Sequence, residues 1–264
     1  MPVWDIHAST APDAVKEPPS PCAGKPILLR WERLLQCGTP LTRSPAGAKL
    51  AIVGVARREP GKDAATYRAV GWHCVDVGDA AEQPALEQGF AGADAVVHLA
   101  WLSQPNHDRD LLRRTNVTGT AHVMAAARTA GVQHIVCVSS VGAYSRAPKN
   151  KRISESWPAC GISQSHHSAD KAGQKNLLNR FAAENPGVVV ARLRPAVTFS
   201  AEAGSEVGRY FLGRALARII PRKPSLPLLA ILRVLVIQAV HAVDVADAYW
   251  RQRMDRHGGG LPHH

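Results

Sequence analysis

No Cys-x-x-Cys pair occurs in the chain, and its five cysteines, Cys22, Cys37, Cys74, Cys137 and Cys160, are odd in number. That pattern favours reduced thiols over a disulfide framework and implies no metal site. Long apolar runs are missing too. The longest, Leu226 to Val240, is short and interrupted by Arg233, so no membrane span is expected. Met1 to Ser20 has acids and prolines where a secretory signal needs a basic start and an apolar centre. Cytoplasmic location is the resulting expectation. The net charge of +11 is not matched by any helix-turn-helix, zinc-finger or RNA-binding motif, and the arginines are spread along the chain. Nucleic acid is therefore not an expected partner.

What is present is a regular alternation. Runs rich in β-branched residues, such as Ala51-Ile52-Val53-Gly54-Val55 and Ile135-Val136-Cys137-Val138, lack period-two polarity, so both of their faces should be buried. Between them lie alanine- and leucine-rich helical stretches, such as Gly119 to Ala130 and Lys171 to Glu184. Strand and helix in alternation predict an α/β fold, a parallel sheet with flanking helices. At 264 residues, 45% hydrophobic and 20% charged, the chain can bury a full core. In such sheets ligands bind beyond the carboxyl ends of the strands, where Arg57, Asp76, Leu99, Ser140 and Pro195 fall.

Several motifs then occur in a telling order. A strand ends in Ala56-Arg57-Arg58, a second in Asp76-Val77, and a third in His98-Leu99-Ala100. Asn116-Val117-Thr118-Gly119-Thr120 follows on a helix, then Ser139-Ser140-Val141-Gly142-Ala143-Tyr144, His167-Ser168-Ala169-Asp170-Lys171, Arg194-Pro195 and His241-Ala242-Val243-Asp244-Val245-Ala246. From Lys49 to Tyr249 this order resembles the extended short-chain dehydrogenase/reductase superfamily, in its NAD-dependent epimerase/dehydratase branch. The resemblance implies a Rossmann-like NAD(P)-binding domain at 48–195 and a small C-terminal substrate lobe at 196–264. Residues 1–47 are expected to be an atypical, partly disordered lead-in, with Pro12, Pro18, Pro19, Pro21 and Pro26 as its signal.

The resemblance also assigns roles. Arg57 and Arg58 stand where NAD-preferring members place an acid on the ribose, and an arginine there can pair with a 2'-phosphate, which puts NADP ahead of NAD. Asp76 and Val77 match the adenine contact, Leu99, Ala100 and Pro195 the cofactor-lining strand ends, and Asn116 a structural residue near the active site. Ser140 would orient the reacting oxygen, and Lys171 would bond the nicotinamide ribose and depress the pKa of a neighbouring acid. Arg214, Arg218 and Arg222 share one face of a predicted helix, either as a clamp for a phosphorylated substrate or as a solvated surface, the latter favoured.

Two departures stand against the pattern. The Tyr of the family's Tyr-x-x-x-Lys is replaced by His167, shorter than Tyr, with an ordinary pKa of about 6.5. Met1 to Ala48 also lacks the glycine-rich turn that lets a pyrophosphate approach a helix N-terminus. Some codons for Leu35-Gln36-Cys37-Gly38 would encode Ser-Asn-Val-Gly in a shifted frame, so a frameshift is one account of the atypical ends. Two functions are consistent with these residues. One is an NAD(P)-dependent oxidoreductase or epimerase acting on a small molecule: a secondary alcohol, a ketone or a nucleotide-sugar. The other is a relative that binds nucleotide or a protein partner without turnover.

Overall fold

A computed structural model of the protein describes residues 27–29, 51–59, 67, 70–102, 108–148, 151–200 and 238–254. The expected disorder of Met1 to Pro21, the segment Leu35 to Gly38 and the arginines at 214, 218 and 222 lie outside these residues.

Six strands form one parallel sheet: β1 (Ile27–Leu29), β2 (Val53–Ala56), β3 (Gly71–Cys74), β4 (Ala95–His98), β5 (His134–Val138) and β6 (Val189–Leu193). Their order across the sheet is β3-β2-β1-β4-β5-β6. Chain order runs outward in both directions from β1 and β4, and the crevice where it reverses is where doubly wound folds bind their ligands. The fold class is thus the Rossmann-like one expected from the alternation.

β1 lies in the segment set apart as a lead-in, yet it occupies the middle of the sheet. Ile27 pairs with Val53 on one side and Val96 on the other, and Leu29 pairs with Val55 and His98. Without β1, the facing edges of β2 and β4 would carry unpaired backbone groups inside the molecule, which is costly. The sheet therefore begins before residue 48.

Helices cover both faces. On one face lie α1 (Gln83–Phe90), α3 (Gly119–Thr129) and α4 (His166–Glu184), whose Leu86, Phe90, Val123, Met124 and Leu178 pack with Val55, Val96, Ile135 and Val190. A short α2 (Arg109–Arg113) leads through a π-helical turn at Arg114–Thr118 into α3. The other face is covered by α5 (Ala242–Met254), where Val245, Ala246, Tyr249 and Trp250 pack on Val97, Leu99, Val136, Val138, Ala191 and Leu193. Neighbouring residues of β4 and β5 thus feed opposite cores, as their lack of polar alternation predicts. Each fully buried aliphatic side chain contributes roughly 1.5–3 kcal/mol.

α5 belongs to the segment expected to form a separate lobe. It packs instead on the main sheet, reached through a two-stranded parallel sheet of β7 (Val197–Phe199) and β8 (Ala239–His241). Among the described residues no helix is long and apolar enough to cross a membrane, and no cluster of His, Cys, Asp or Glu could hold a metal ion.

Gly161 sets the approach to α4. Its φ is +73°, and a Cβ there would lie 2.7 Å from the Ser168 carbonyl oxygen. Both the backbone conformation and the close approach require glycine. Gly161→Ala is expected to cost about 1–3 kcal/mol in urea unfolding. Gly187→Ala, where a Cβ meets nothing within 4 Å, serves as the near-neutral control. Equal stabilities of the two variants would contradict this account of the α4 entrance.

Candidate active site

Lys171 is the centre of the site. It lies on α4, one turn beyond His167, and is 2% exposed. Its Nζ donates to the Val138 carbonyl at 2.9 Å, where β5 ends, and to Gln174 Oε1 at 3.2 Å. The ammonium also stands 3.4 Å from the centroid of the Trp101 ring. An ammonium has three N–H donors, so two carbonyl bonds and one aromatic face use all of them. Burial lowers the Lys171 pKa to about 7, against the opposing pull of Cys137 and Asp170.

Trp101 joins Lys171 to His167. The Trp101 and His167 rings meet edge to face, with centroids 5.5 Å apart. Burial by these neighbours, then the Lys171 charge, lowers the His167 pKa to about 4, with Asp170 opposing. The residue as a whole remains exposed at the mouth of the site, so the desolvation is partial and the downward direction is what the geometry supports. An unperturbed imidazole titrating near 6.5 is therefore not what the structure contains.

Ser140 approaches from the other side. It caps the 3-10 turn Val141–Ala143, its Oγ accepting from Gly142 N at 3.0 Å, which leaves the hydroxyl proton available to donate. A Cβ built on Gly142 would meet His167 Cδ2 at 3.2 Å, Ser140 Oγ at 3.3 Å and His167 Nε2 at 3.4 Å. Ser140 Oγ and His167 Nε2 thus flank one small residue. Ser168 closes the arrangement by donating from Oγ to the Gly142 carbonyl at 2.5 Å and accepting from Ile162 N at 2.8 Å.

A buried polar network supports Lys171 from beneath. Gln174 Nε2 donates to Thr120 Oγ1 at 3.4 Å, and Thr120 Oγ1 donates to the Asn116 carbonyl at 2.7 Å. Thr120 must then accept the 2.9 Å bond from His98, which places the His98 proton on Nε2. Burial and then the Lys171 charge lower the His98 pKa to about 3, so His98 is a neutral packed residue. Asn116 bonds both backbone groups of Leu102, accepting from its N at 2.7 Å and donating to its carbonyl at 2.9 Å. It thereby fixes the chain just after Trp101. Asp170, 1% exposed, accepts both arms of the Arg109 guanidinium, at 2.6 and 2.5 Å.

The other end of the crevice lies beyond β2 and β3. Arg57 is half-buried and Arg58 exposed. Asp76 Oδ1 accepts from Gly78 N at 2.9 Å and Oδ2 from Arg114 Nη2 at 3.2 Å. Val77, Leu99 and Ala100 point their side chains into the core, so only their backbones can line a ligand. The Val77 carbonyl accepts from His122 Nδ1 at 2.7 Å. Pro195 contributes its carbonyl, which accepts from Val141 N at 3.2 Å and ties the end of β6 to the Ser140 turn. The structure therefore gathers Ser140, His167, Lys171 and Asn116 beyond β4 and β5, and holds Arg57, Arg58, Asp76 and Val77 apart, across β1. Gln174, Thr120, Asp170 and Arg109 were not singled out from sequence. The i,i+3 spacing of Lys171 and Gln174 was the only available signal for any of them.

The model of the NAD dependent epimerase/dehydratase family matches residues 36–259. The chain belongs to that family of NAD-dependent enzymes. A 4-hydroxy-2-methyl-3-oxo-4-farnesyl-3,4-dihydroquinoline-1-oxide ketoreductase of Stigmatella aurantiaca is 31% identical over 117 residues, 44% of this chain and 34% of that protein. A 4-epimerase of Escherichia coli O157:H7 that acts on N-acetyl-alpha-D-glucosaminyl-diphospho-ditrans,octacis-undecaprenol is 41% identical over 69 residues, 26% of this chain and 21% of that protein. The matches thus span about a third or less of these curated relatives. The fold is shared with the UDP-glucose 4-epimerase of Thermus thermophilus, solved with NAD. That structure has a TM-score of 0.62 and 22% identity, over 85% of this chain and 73% of the other.

The residues present fit a nicotinamide dinucleotide. Trp101 Nε1 and His98 Nδ1 are buried without a hydrogen-bond partner at the carboxyl end of β4, beside the β1/β4 crevice. Buried polar atoms of this kind normally find a partner, and a ligand in the crevice would offer one.

The Lys171 pKa has a consequence for stability. The folded chain holds this proton only below about 7, whereas an unfolded lysine holds it to about 10.4. Between those values the unfolded state binds more protons, so stability rises with pH. The penalty is present in full below pH 7 and is relieved towards pH 10. Across pH 7.5 to 10, wild-type stability in urea should gain on the order of a few kcal/mol relative to Lys171→Met. Parallel curves would show that Lys171 titrates normally.

Proposed function

We propose that the protein transfers a hydride between a nicotinamide dinucleotide and the carbinol or carbonyl carbon of a small molecule. The observation that carries this reading is the meeting of Ser140 Oγ and His167 Nε2 around Gly142, with Lys171 one helical turn further on. Oxidation of a secondary alcohol removes a hydride from carbon and a proton from the hydroxyl. The bound dinucleotide supplies the hydride acceptor. The Ser140 hydroxyl donates to the substrate oxygen and orients it. His167, neutral across the physiological range, accepts the hydroxyl proton at Nε2. Asn116, Gln174 and the Val138 carbonyl keep Lys171 fixed at the base of the site, and Lys171 and Pro195 stand where the nicotinamide end would lie.

A secondary alcohol, a ketone and a nucleotide-sugar all present this carbon. The ketoreductase relative favours the simple ketone, and the epimerase relative a sugar carried on a diphosphate. Arg57 and Arg58 at the end of β2 support NADP over NAD, because a guanidinium can pair with a 2'-phosphate. Asp76, Val77, Leu99 and Ala100 complete the dinucleotide-lining set through their backbones and the Asp76 loop.

Two measurements test this. His167→Ala is expected to lower turnover about 10²–10⁴-fold, the usual worth of a positioned proton-transfer group. His167→Tyr, which restores the longer acid, should raise ketone reduction. Unchanged turnover in His167→Ala would remove His167 from the mechanism. For the cofactor, Arg57→Ala combined with Arg58→Ala should erase any preference for NADPH over NADH in calorimetry. A ratio that survives the double substitution would overturn the arginine assignment.

A further inference from the structure

A second concave region lies between α4, residues 155–159 and the outer strand β6. It is an open cleft of about 670 Å³, within the range of small-molecule sites, and Arg192, Arg194, Lys175, Asn179 and Trp157 are among its lining. Ser140, His167 and Lys171 take no part in it.

Arg192 is the anomaly there. It is 9% exposed, on a strand residue that faces α4. Its Nη1 donates to the neutral Asn179 Oδ1, and its Nε is buried with no hydrogen-bond partner. No carboxylate among the described residues pairs with it. Glu155 also lines the cavity but forms no ion pair with Arg192. Burial lowers the Arg192 pKa, with only the Cys137 thiol opposing. A cation withdrawn from water without a counter-charge is strongly unfavourable, and an oxyanion in the cavity would relieve that cost. Lys175 adds a second donor. Its Nζ spends one N–H on the Ala159 carbonyl at 3.2 Å and keeps two for a ligand. Trp157, Pro158 and Ala159 offer an apolar wall beside the cations.

We propose that this cavity binds a small molecule through an oxyanion, a phosphate monoester or a carboxylate, held by Arg192 and Lys175 with its apolar part against Trp157. The proposal is independent of the hydride-transfer reading. It is tested by titrating the full chain with inorganic phosphate and with acetate in calorimetry, at ionic strength matched with sodium chloride. Saturable binding of one anion is expected, and the one that binds identifies the ligand class. Lys175→Gln, on the helix surface, should weaken it about tenfold or more, which corresponds to about 1.4 kcal/mol. Arg192→Gln should abolish it, and Arg251→Gln, at an exposed arginine of α5 outside the cavity, should leave it unchanged. If Arg192→Gln does not fold, Lys175→Gln decides the matter alone. Absence of saturable binding, undiminished binding in Lys175→Gln, or loss of binding in Arg251→Gln would each overturn the proposal.

Discussion

A buried ammonium with its three donors all engaged organises the reactive end of this molecule. Lys171 can sit where it does only if β5 ends at Val138, leaving that carbonyl open to a side chain, and if α4 brings Gln174 round beside it. Gln174 in turn needs Thr120, which needs the Asn116 carbonyl and His98. Four segments far apart in sequence are thus tied to one charge. In a low-dielectric interior a network of this kind is rigid when complete and costly when broken. The Trp101 indole covers the ammonium on one side and meets His167 edge to face.

The entrance to α4 serves the same end from outside. Gly161, Ser165 and Ser168 fix where the helix begins, and Ser168 binds the Gly142 carbonyl, so the helix start and the Ser140 turn move as one. His167, near the start of α4, is thereby held against the Ser140 turn. Burial and then the Lys171 charge lower the pKa of its ring.

Much of this was legible in the sequence. Strands without polar alternation gave β2, β4, β5 and β6, and the motif order gave the family and the convergence of Ser140, His167 and Lys171. β1 was harder to place. Three apolar residues among prolines carry little local signal, and only the two facing edges of β2 and β4 decide the matter. α5 was assigned to a separate lobe because chain position says nothing of which sheet face remains uncovered. The Asp170–Arg109 pair joins residues 61 apart in sequence, a separation no periodicity reports. Val77, Leu99 and Ala100 lie at strand ends as expected, with their side chains turned into the core.

On the proposed function, the nicotinamide end of the cofactor lies at the Lys171, Trp101 and His167 cluster. The chain has six tryptophans, and comparison with Trp101→Phe assigns the Trp101 indole N–H in a nitrogen-15 NMR spectrum. Titration with NADP+ should shift that resonance together with the His167 ring, at saturable ligand concentrations. Saturable binding that leaves both signals unmoved would contradict the account, because the dinucleotide would then occupy some other part of the molecule.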